Sequence, residues 1–282
     1  VGSEMCIRDR KIVGMLTEGE RPRPPYRLGV ALSGGGARGF AHVGALKALE
    51  EAGMKPDVIA GVSAGAVAAV MYAAGVPLDE MLSLFTSTKF TDFARPSLIH
   101  GDGMFSLMRF KQFIEEATGI DRLENLRIPT YVGVTDLDHG EPAEFHEGPL
   151  GERVVASCSI PIVFSPVEID GIHYVDGGVL RNLPAWIIRE KCETLIGINV
   201  SPLRTFEYRK SFLDIGMRTY NLMAKANQQQ DMDICDHVII TPELIHYQVF
   251  NLKDIHKAYL SGYAAAHRAI RQWLRAEGKQ PR

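Results

Sequence analysis

Val58-Ile59-Ala60-Gly61-Val62-Ser63-Ala64-Gly65-Ala66-Val67-Ala68-Ala69-Val70 is the stretch on which the reading of the fold turns. Residues 57–62 form a short apolar run of the kind that makes a buried strand. Residues 64–74 are small and apolar on every side, which predicts a buried helix. Between them lies Gly61-x-Ser63-x-Gly65, where a strand must turn sharply into a helix. Glycines permit that turn, and the serine hydroxyl is then held out beyond the end of the sheet. The helix N-terminus beside it favours negative charge. The bare pattern arises by chance in glycine-rich sequence; the strand before it and the helix after it give it weight. Residues 58–78 carry no charge and are long enough to cross a bilayer. Gly61, Gly65, Gly75 and Pro77 interrupt them, so a strand, turn and helix explain the run better than a span.

Upstream, residues 28–32 predict another buried strand, followed by Gly34-Gly35-Gly36-Ala37-Arg38-Gly39 and a helix over 38–52 ended by Gly53. The loop matches GxGxxG, but a dinucleotide site needs an acid at the end of the second strand. The serine turn occupies that place, and Asp57 precedes the strand. The Gly-Lys-Ser/Thr ending of a phosphate loop is missing too. The better reading is an oxyanion hole built from Gly34, Gly35, Gly36, Arg38 and Gly39, since consecutive glycine N–H groups can converge on one developing charge. Arg38 would hold the loop or attract a phosphate-bearing substrate. The plain alternative is a tight turn opening a helix.

Downstream, the periodicity predicts helices over 77–85, 110–118, 150–157, 211–230 and 254–276, and strands over 130–135, 143–146, 195–200 and 237–241. Residues 167–169 and 173–175 predict a hairpin across Asp170-Gly171. Asn182 is expected to cap a helix with Pro184 in its first turn. Strands alternating with helices give an α/β fold, a three-layer α/β/α domain on a mostly parallel central sheet. Residues 87–109 break the pattern; their phenylalanines and methionines suit either a lid over an acyl pocket or ordinary core cover. Asp176-Gly177-Gly178, taken alone, is a common turn.

Thirty-one basic residues against 34 acidic ones leave a net charge of −3, which argues against a nucleic-acid partner. Cys6, Cys158, Cys192 and Cys235 form no CxxC pair and no zinc spacing, so neither a metal nor another cofactor is expected. They read as reduced thiols of a cytoplasmic protein, peripheral at a membrane at most, with a Cys192–Cys235 disulfide the less favoured alternative. Arg268, Arg271 and Arg275 on the last helix could touch anionic lipid, although a solvated basic face is the simpler reading. The first ten residues have no periodicity and no signal-peptide core. The expected organisation is a leader over 1–25, a hydrolase domain over 26–276 and a tail over 277–282.

The glycine loop, the Gly61-x-Ser63-x-Gly65 turn and Asp176-Gly177-Gly178 occur in the order found in the patatin-like phospholipases, which the sequence resembles. Ala156-Ser157-Cys158-Ser159-Ile160-Pro161 is similar to a further block of that family, and Asn182 and Pro184 also fit. The small bacterial members related to the catalytic domain of neuropathy target esterase are most alike. The resemblance runs from Leu28 to about Val200.

What the resemblance implies is a Ser–Asp dyad acting on acyl esters of lipids. Ser63 would attack the ester carbonyl and Asp176 would take its proton and return it to the leaving alcohol. Gly61 and Gly65 would shape the turn, Gly177 and Gly178 would follow the aspartate, and the N–H groups of Gly35 and Gly36 would hold the oxyanion. An aspartate needs partial desolvation to serve as a base near neutral pH. A triad with His237, His246 or His256 also satisfies the order serine, acid, histidine. Acyl transfer from the same acyl-enzyme, and a lipid-sensing module without turnover, stand as alternatives. His42 is expected to be structural.

Overall fold

The computed structural model describes residues 23–86, 93, 95–96, 105–202, 211–247, 254–276 and 278. Ten strands and eight helices lie in these residues. The strands are β1 (Tyr26–Leu32), β2 (Val58–Val62), β3 (Arg95–Pro96), β4 (Phe105–Ser106), β5 (Thr130–Asp136), β6 (Glu141–Phe145), β7 (Val167–Ile169), β8 (Ile172–Asp176), β9 (Cys192–Asn199) and β10 (His237–Ile240). The helices are α1 (Phe40–Glu51), α2 (Ala64–Ala74), α3 (Leu78–Thr86), α4 (Met108–Thr118), α5 (Leu150–Cys158), α6 (Ala185–Ile188), α7 (Phe212–Met232) and α8 (Ile255–Ala276).

Eight strands form one sheet in the order β10-β9-β1-β2-β5-β8-β7, with β6 also on β5. The run from β10 to β5 is parallel, and β6, β7 and β8 pair antiparallel. A parallel sheet has to be covered on both faces, which is why its strands read as continuous apolar runs. β1 shows the division: Val30 and Leu32 enter the larger core beneath α1, α2, α3 and α8, and Ala31 enters the smaller one beneath α6. The expected three-layer α/β/α architecture is therefore present, with a thin third layer.

α1 and α8 cross at very short range, because Gly44 faces the Tyr259 carbonyl and Gly262 faces the Ala41 carbonyl with no room for a methyl group. In α8, Ile255, Ala266 and Ile270 are buried and Tyr259, Tyr263 and Trp273 pack partly, at the helical spacing of a core face. Arg268 on its outer face is paired with Glu243 at 2.7 Å. Among the described residues no helix is long and apolar enough to cross a membrane. The uncharged run over 58–78 is β2, α2 and the start of α3.

Two local expectations give way to tertiary structure. The helix expected over 38–52 opens with a 3-10 turn at Gly36–Gly39 and becomes α-helical only from Phe40. Asn182 caps no helix: Pro184 stands at the N-cap of α6, with no side-chain cap. The Asn182 backbone N–H donates instead to Asn227 Oδ1 of α7 at 2.8 Å, and its carbonyl accepts the N–H of Gly34 at 3.1 Å. The side chain that a cap would have used turns instead to Gln228 of α7, at 3.5 Å, and to Gly34. Cys158, Cys192 and Cys235 are free thiols. Most of the lid expected over 87–109 lies outside the described residues.

Candidate active site

Ser63 sits at the turn from β2 into α2 with φ 53° and ψ −122°. A non-glycine residue rarely adopts that conformation, and it persists only where its surroundings enforce it. Three contacts do so here. Gly61 and Gly65 face each other's backbone so closely that a methyl on Gly61 would overlap the Gly65 carbonyl. A methyl on Gly65 would overlap the Leu32 carbonyl of β1. The Ser63 N–H donates to Ser157 Oγ at 2.8 Å, and Ser157 Oγ donates to the Gly133 carbonyl at 2.7 Å.

Strand register brings Asp176 to this turn. Val132 and Gly133 of β5 pair with β2 on one side and with β6 on the other. Val134 to Asp136 pair with β6 and with β8. β6 holds one edge throughout, so β2 and β8 share the opposite edge, end to end. Val62 lies across from Gly133 and Asp176 from Val134, the next residue. One strand ends in the serine exactly where another ends in the aspartate.

Asp176 is fully buried, its Oδ1 accepting the Gly178 N–H at 2.8 Å. Oδ2 has no partner at hydrogen-bond geometry. Burial pushes the carboxyl up to about 6, while the Gly178 N–H and the nearby hydroxyls of Ser63 and Tyr220 pull the other way. Both hydroxyls thus lie near enough to act on the carboxylate, and neither makes a hydrogen bond to it here; catalytic contacts commonly tighten only when substrate binds. The half-buried Cys158 thiol also borders Ser63, and burial raises its pKa.

The glycine loop lies on the other side of Ser63. Gly36 takes φ 57°, which favours glycine. A methyl on Gly34 would come within 2.5 Å of Asn182 Oδ1, and one on Gly35 within 2.7 Å of Val200 Cγ2. Among the described residues no hydrogen bond engages the N–H of Gly35 or Gly36. Gly35 and Gly36 line one small cavity together with Ser63. The Arg38 Nε donates to the Tyr247 carbonyl at 3.1 Å, with Nη1 3.5 Å from the Pro202 carbonyl. It makes no ion pair among the described residues, and desolvation lowers its pKa. Gly39 packs directly on Ala64 at the start of α2.

Two cavities meet at Gly36 and Ser63. The first, about 150 Å³, is apolar and runs between Val67, Met71, Phe85, Phe93, Leu107 and Phe164. Phe93 and Leu107 are the described parts of the expected lid that reach it. The second, about 20 Å³, is small and polar, between Arg38, Asn182, Ser201, Tyr220 and Asn221. An apolar chain and a polar head can so be received on opposite sides of one hydroxyl.

Among the described residues, the histidines weighed as triad partners lie away from Ser63. His237 stacks on Trp273 with ring centroids 4.4 Å apart. It is level with Ile59 and three strands from β2, about 14 Å at normal strand spacing. His256 is exposed on α8; the His246 side chain lies outside the described residues. His42 is buried, its Nε2 2.8 Å from the Ser33 carbonyl, and burial lowers its pKa to about 4. Among the described residues no cluster of three His, Cys, Asp or Glu could hold a metal. Sequence reasoning left Ser157 without a role and missed Tyr220, which carries no motif. Ser157 had a signal in the Ala156-to-Pro161 block.

Comparison with known proteins identifies the family and the fold. The family model described as "Patatin-like phospholipase" matches residues 30–188. An uncharacterised NTE-family protein of Mycobacterium tuberculosis is 38% identical over 161 residues, covering 56% of this chain and 44% of that protein. The lysophospholipase NTE1 of Saccharomyces cerevisiae is 30% identical over 183 residues, 61% of this chain and 11% of that much longer one. The chain thus spans less than half the length of either relative. The crystal structure of VipD from Legionella pneumophila superposes with a TM-score of 0.61 at 15% identity, covering 93% of this chain and 73% of that one.

Proposed function

Because the chain belongs to the patatin-like phospholipase family, we propose that it is a serine hydrolase of lipid acyl esters, with Ser63 as nucleophile and Asp176 as its base. The register of Asp176 against Val134, next to the pairing of Val62 with Gly133, is the observation that carries this reading. The fatty chain enters the apolar cavity and the alcohol side of the ester takes the polar one. Asp176 removes the Ser63 proton as Oγ bonds to the carbonyl carbon. The charge that develops on the carbonyl oxygen is met by the N–H groups of Gly35 and Gly36. As the intermediate collapses, the ester C–O bond breaks and Asp176 returns the proton to the leaving alcohol. Water, deprotonated by Asp176, then releases the fatty acid and regenerates Ser63. A carboxyl held near 6 suits this work, since a general base functions best close to the working pH.

Arg38 favours a phosphate-bearing leaving group. It lines the polar cavity as a half-buried cation with no carboxylate partner among the described residues. Substrate delivery calls for transient contact with a lipid surface, and Met108 and Ile162 are exposed beside cavity-lining Leu107 and Ile160. Vesicle co-sedimentation of the wild type reads that contact.

The test is hydrolysis of a medium-chain p-nitrophenyl ester, with fluorophosphonate labelling, by the wild type and by Ser63→Ala. The wild type should turn over and take one label; Ser63→Ala should do neither while keeping the wild-type circular dichroism spectrum. An active Ser63→Ala protein would remove Ser63 from the mechanism. A wild type that neither labels nor hydrolyses would favour a lipid-sensing module.

A further inference from the structure

Tyr220 belongs to α7, which lies outside the three sequence motifs and outside the match at residues 30–188. Its neighbours on that helix clamp the segment that follows Asp176. Asn227 Nδ2 donates to the carbonyls of Gly178 at 3.0 Å and Val179 at 3.1 Å. Asp231, fully buried, takes both a 2.8 Å and a 2.7 Å bond from Arg181 and a third from the Trp186 N–H at 3.1 Å. Tyr220, Asn227 and Asp231 are spaced by seven and four residues, so they share one face of the helix. The two lower residues fix the helix to the turn; the upper one delivers a phenol hydroxyl into the site.

That hydroxyl lies directly over Gly178 and would overlap a methyl group there. The ring is 91% buried, among Leu107, Val155, Ile160, Val163 and Phe164. The hydroxyl end borders the polar cavity shared with Ser63. Asp176 has few other supports. Its own turn supplies the Gly178 N–H, and the N-terminus of α2 supplies the Ser63 hydroxyl. Among the described residues no lysine, arginine or histidine acts on it. Hydroxyl and amide donors that reach a buried carboxylate decide where it points and how readily it ionises.

We propose that Tyr220 is a positioning residue for Asp176, its phenol O–H donating to the carboxylate and holding it ionised and aimed at Ser63. The inference rests on the Ser63–Asp176 reading above. It gives α7 a purpose beyond cover: the clamp through Asn227 and Arg181–Asp231 sets the position of one hydroxyl. Burial and the adjacent carboxylate both raise the phenol's own pKa, so it stays protonated as a donor at any pH where the enzyme works.

The experiment is the pH profile of kcat/KM for the p-nitrophenyl ester, and of the fluorophosphonate labelling rate, in wild type and Tyr220→Phe. Removing one donor to a carboxylate should move the acid limb up by about one pH unit. At the wild-type midpoint the labelling rate should fall several-fold. Above both limbs, kcat should be reduced more than KM is changed, and in an Asp176→Asn background the substitution should add nothing. A purely structural tyrosine would leave the limb in place, and superimposable limbs for two folded proteins overturn the proposal. If Tyr220→Phe does not fold, 3-fluorotyrosine at position 220 decides: its more acidic hydroxyl should move the limb down, and an unmoved limb overturns the proposal equally. The parent reading fails separately, in a wild type that does not label at all.

Discussion

The backbone N–H of Ser63 donates to Ser157 Oγ, and the same oxygen donates on to the Gly133 carbonyl. One buried hydroxyl on α5 therefore ties the serine turn to the strand that carries Asp176's partner. Ser157 is fully buried, so its removal admits no replacement from solvent. Ser157→Ala leaves a buried donor and a buried acceptor unpaired, a loss of about 1–3 kcal/mol for such a group. Thermal unfolding should show that loss. Fluorophosphonate labelling should slow even at temperatures where the variant is fully folded, because the strained φ of Ser63 loses one of its restraints.

Asp176→Asn should abolish hydrolysis and yet stabilise the protein at neutral pH. The folded carboxyl is raised to about 6 from 3.8. The folded state therefore binds a proton more readily than the unfolded one. The stability this lends is fully present below 3.8 and is lost as pH rises through 6. By pH 7 the ionised, buried carboxylate costs up to about 3 kcal/mol relative to a neutral side chain. Chemical denaturation at pH 7 and at pH 4.5 checks the sign: the advantage of the variant should shrink on acidification. The same carboxyl sets the wild-type activity limb, with kcat/KM falling as pH drops through about 6.

His42 acts in the opposite sense. Its folded pKa is lowered from 6.5 to about 4, so it is neutral when folded and protonated when unfolded across that window. Stability from this group is full above 6.5 and declines as pH falls toward 4, by about 3 kcal/mol in all. In the wild type Asp176 offsets much of that decline. In Asp176→Asn it should appear in full, as a steeper fall of denaturation midpoint with acid than the wild type shows.

Much of this was legible in the sequence because it is local. The strand-turn-helix around Ser63, the helix over 64–74 and the Asp170-Gly171 hairpin all follow from short-range pattern, and each is where the pattern put it. What stayed hidden depends on partners far along the chain. No local signal says that β8 continues the edge of β5 that β2 leaves, although that register sets Asp176 beside Ser63. Asn182 looked like a helix cap because Asn and Pro at that spacing usually are one. Its side chain turns instead to Gln228, 46 residues away, and to Gly34. Tyr220 was invisible for the same reason: a lone aromatic on a long helix reads as core.

Chain-length preference should follow the apolar cavity. Ala68 is 4% exposed and lines it along α2 beyond Val67. Ala68→Leu inserts a branched side chain into space that a fatty chain would use. On a series of p-nitrophenyl esters, kcat/KM for long chains should fall about tenfold or more, since blocking a few methylenes at about 0.8 kcal/mol each is enough. Short chains, which end before Ala68, should lose only a few-fold. An equal loss at every length would place the acyl chain elsewhere.

The crossing of α1 and α8 gives a test in which two effects oppose each other. Replacing a glycine inside a helix by alanine ordinarily stabilises it by about 1 kcal/mol. Gly262 is the exception here, because a methyl group would overlap the Ala41 carbonyl and the Ala41 Cα of the facing helix. Neither of those atoms can rotate away as a side-chain tip could, so the helices must separate. Separation would unpack Ala258, Ala265, Ala266 and Ile270, which are buried against α1 and the sheet. Overpacking of this kind costs about 1–3 kcal/mol, so it should outweigh the propensity gain. Gly262→Ala should therefore lower the melting temperature. Labelling of Ser63 at low temperature should stay near wild type, because α8 touches neither cavity. A raised melting temperature would show that the two helices do not approach as closely as their glycines allow.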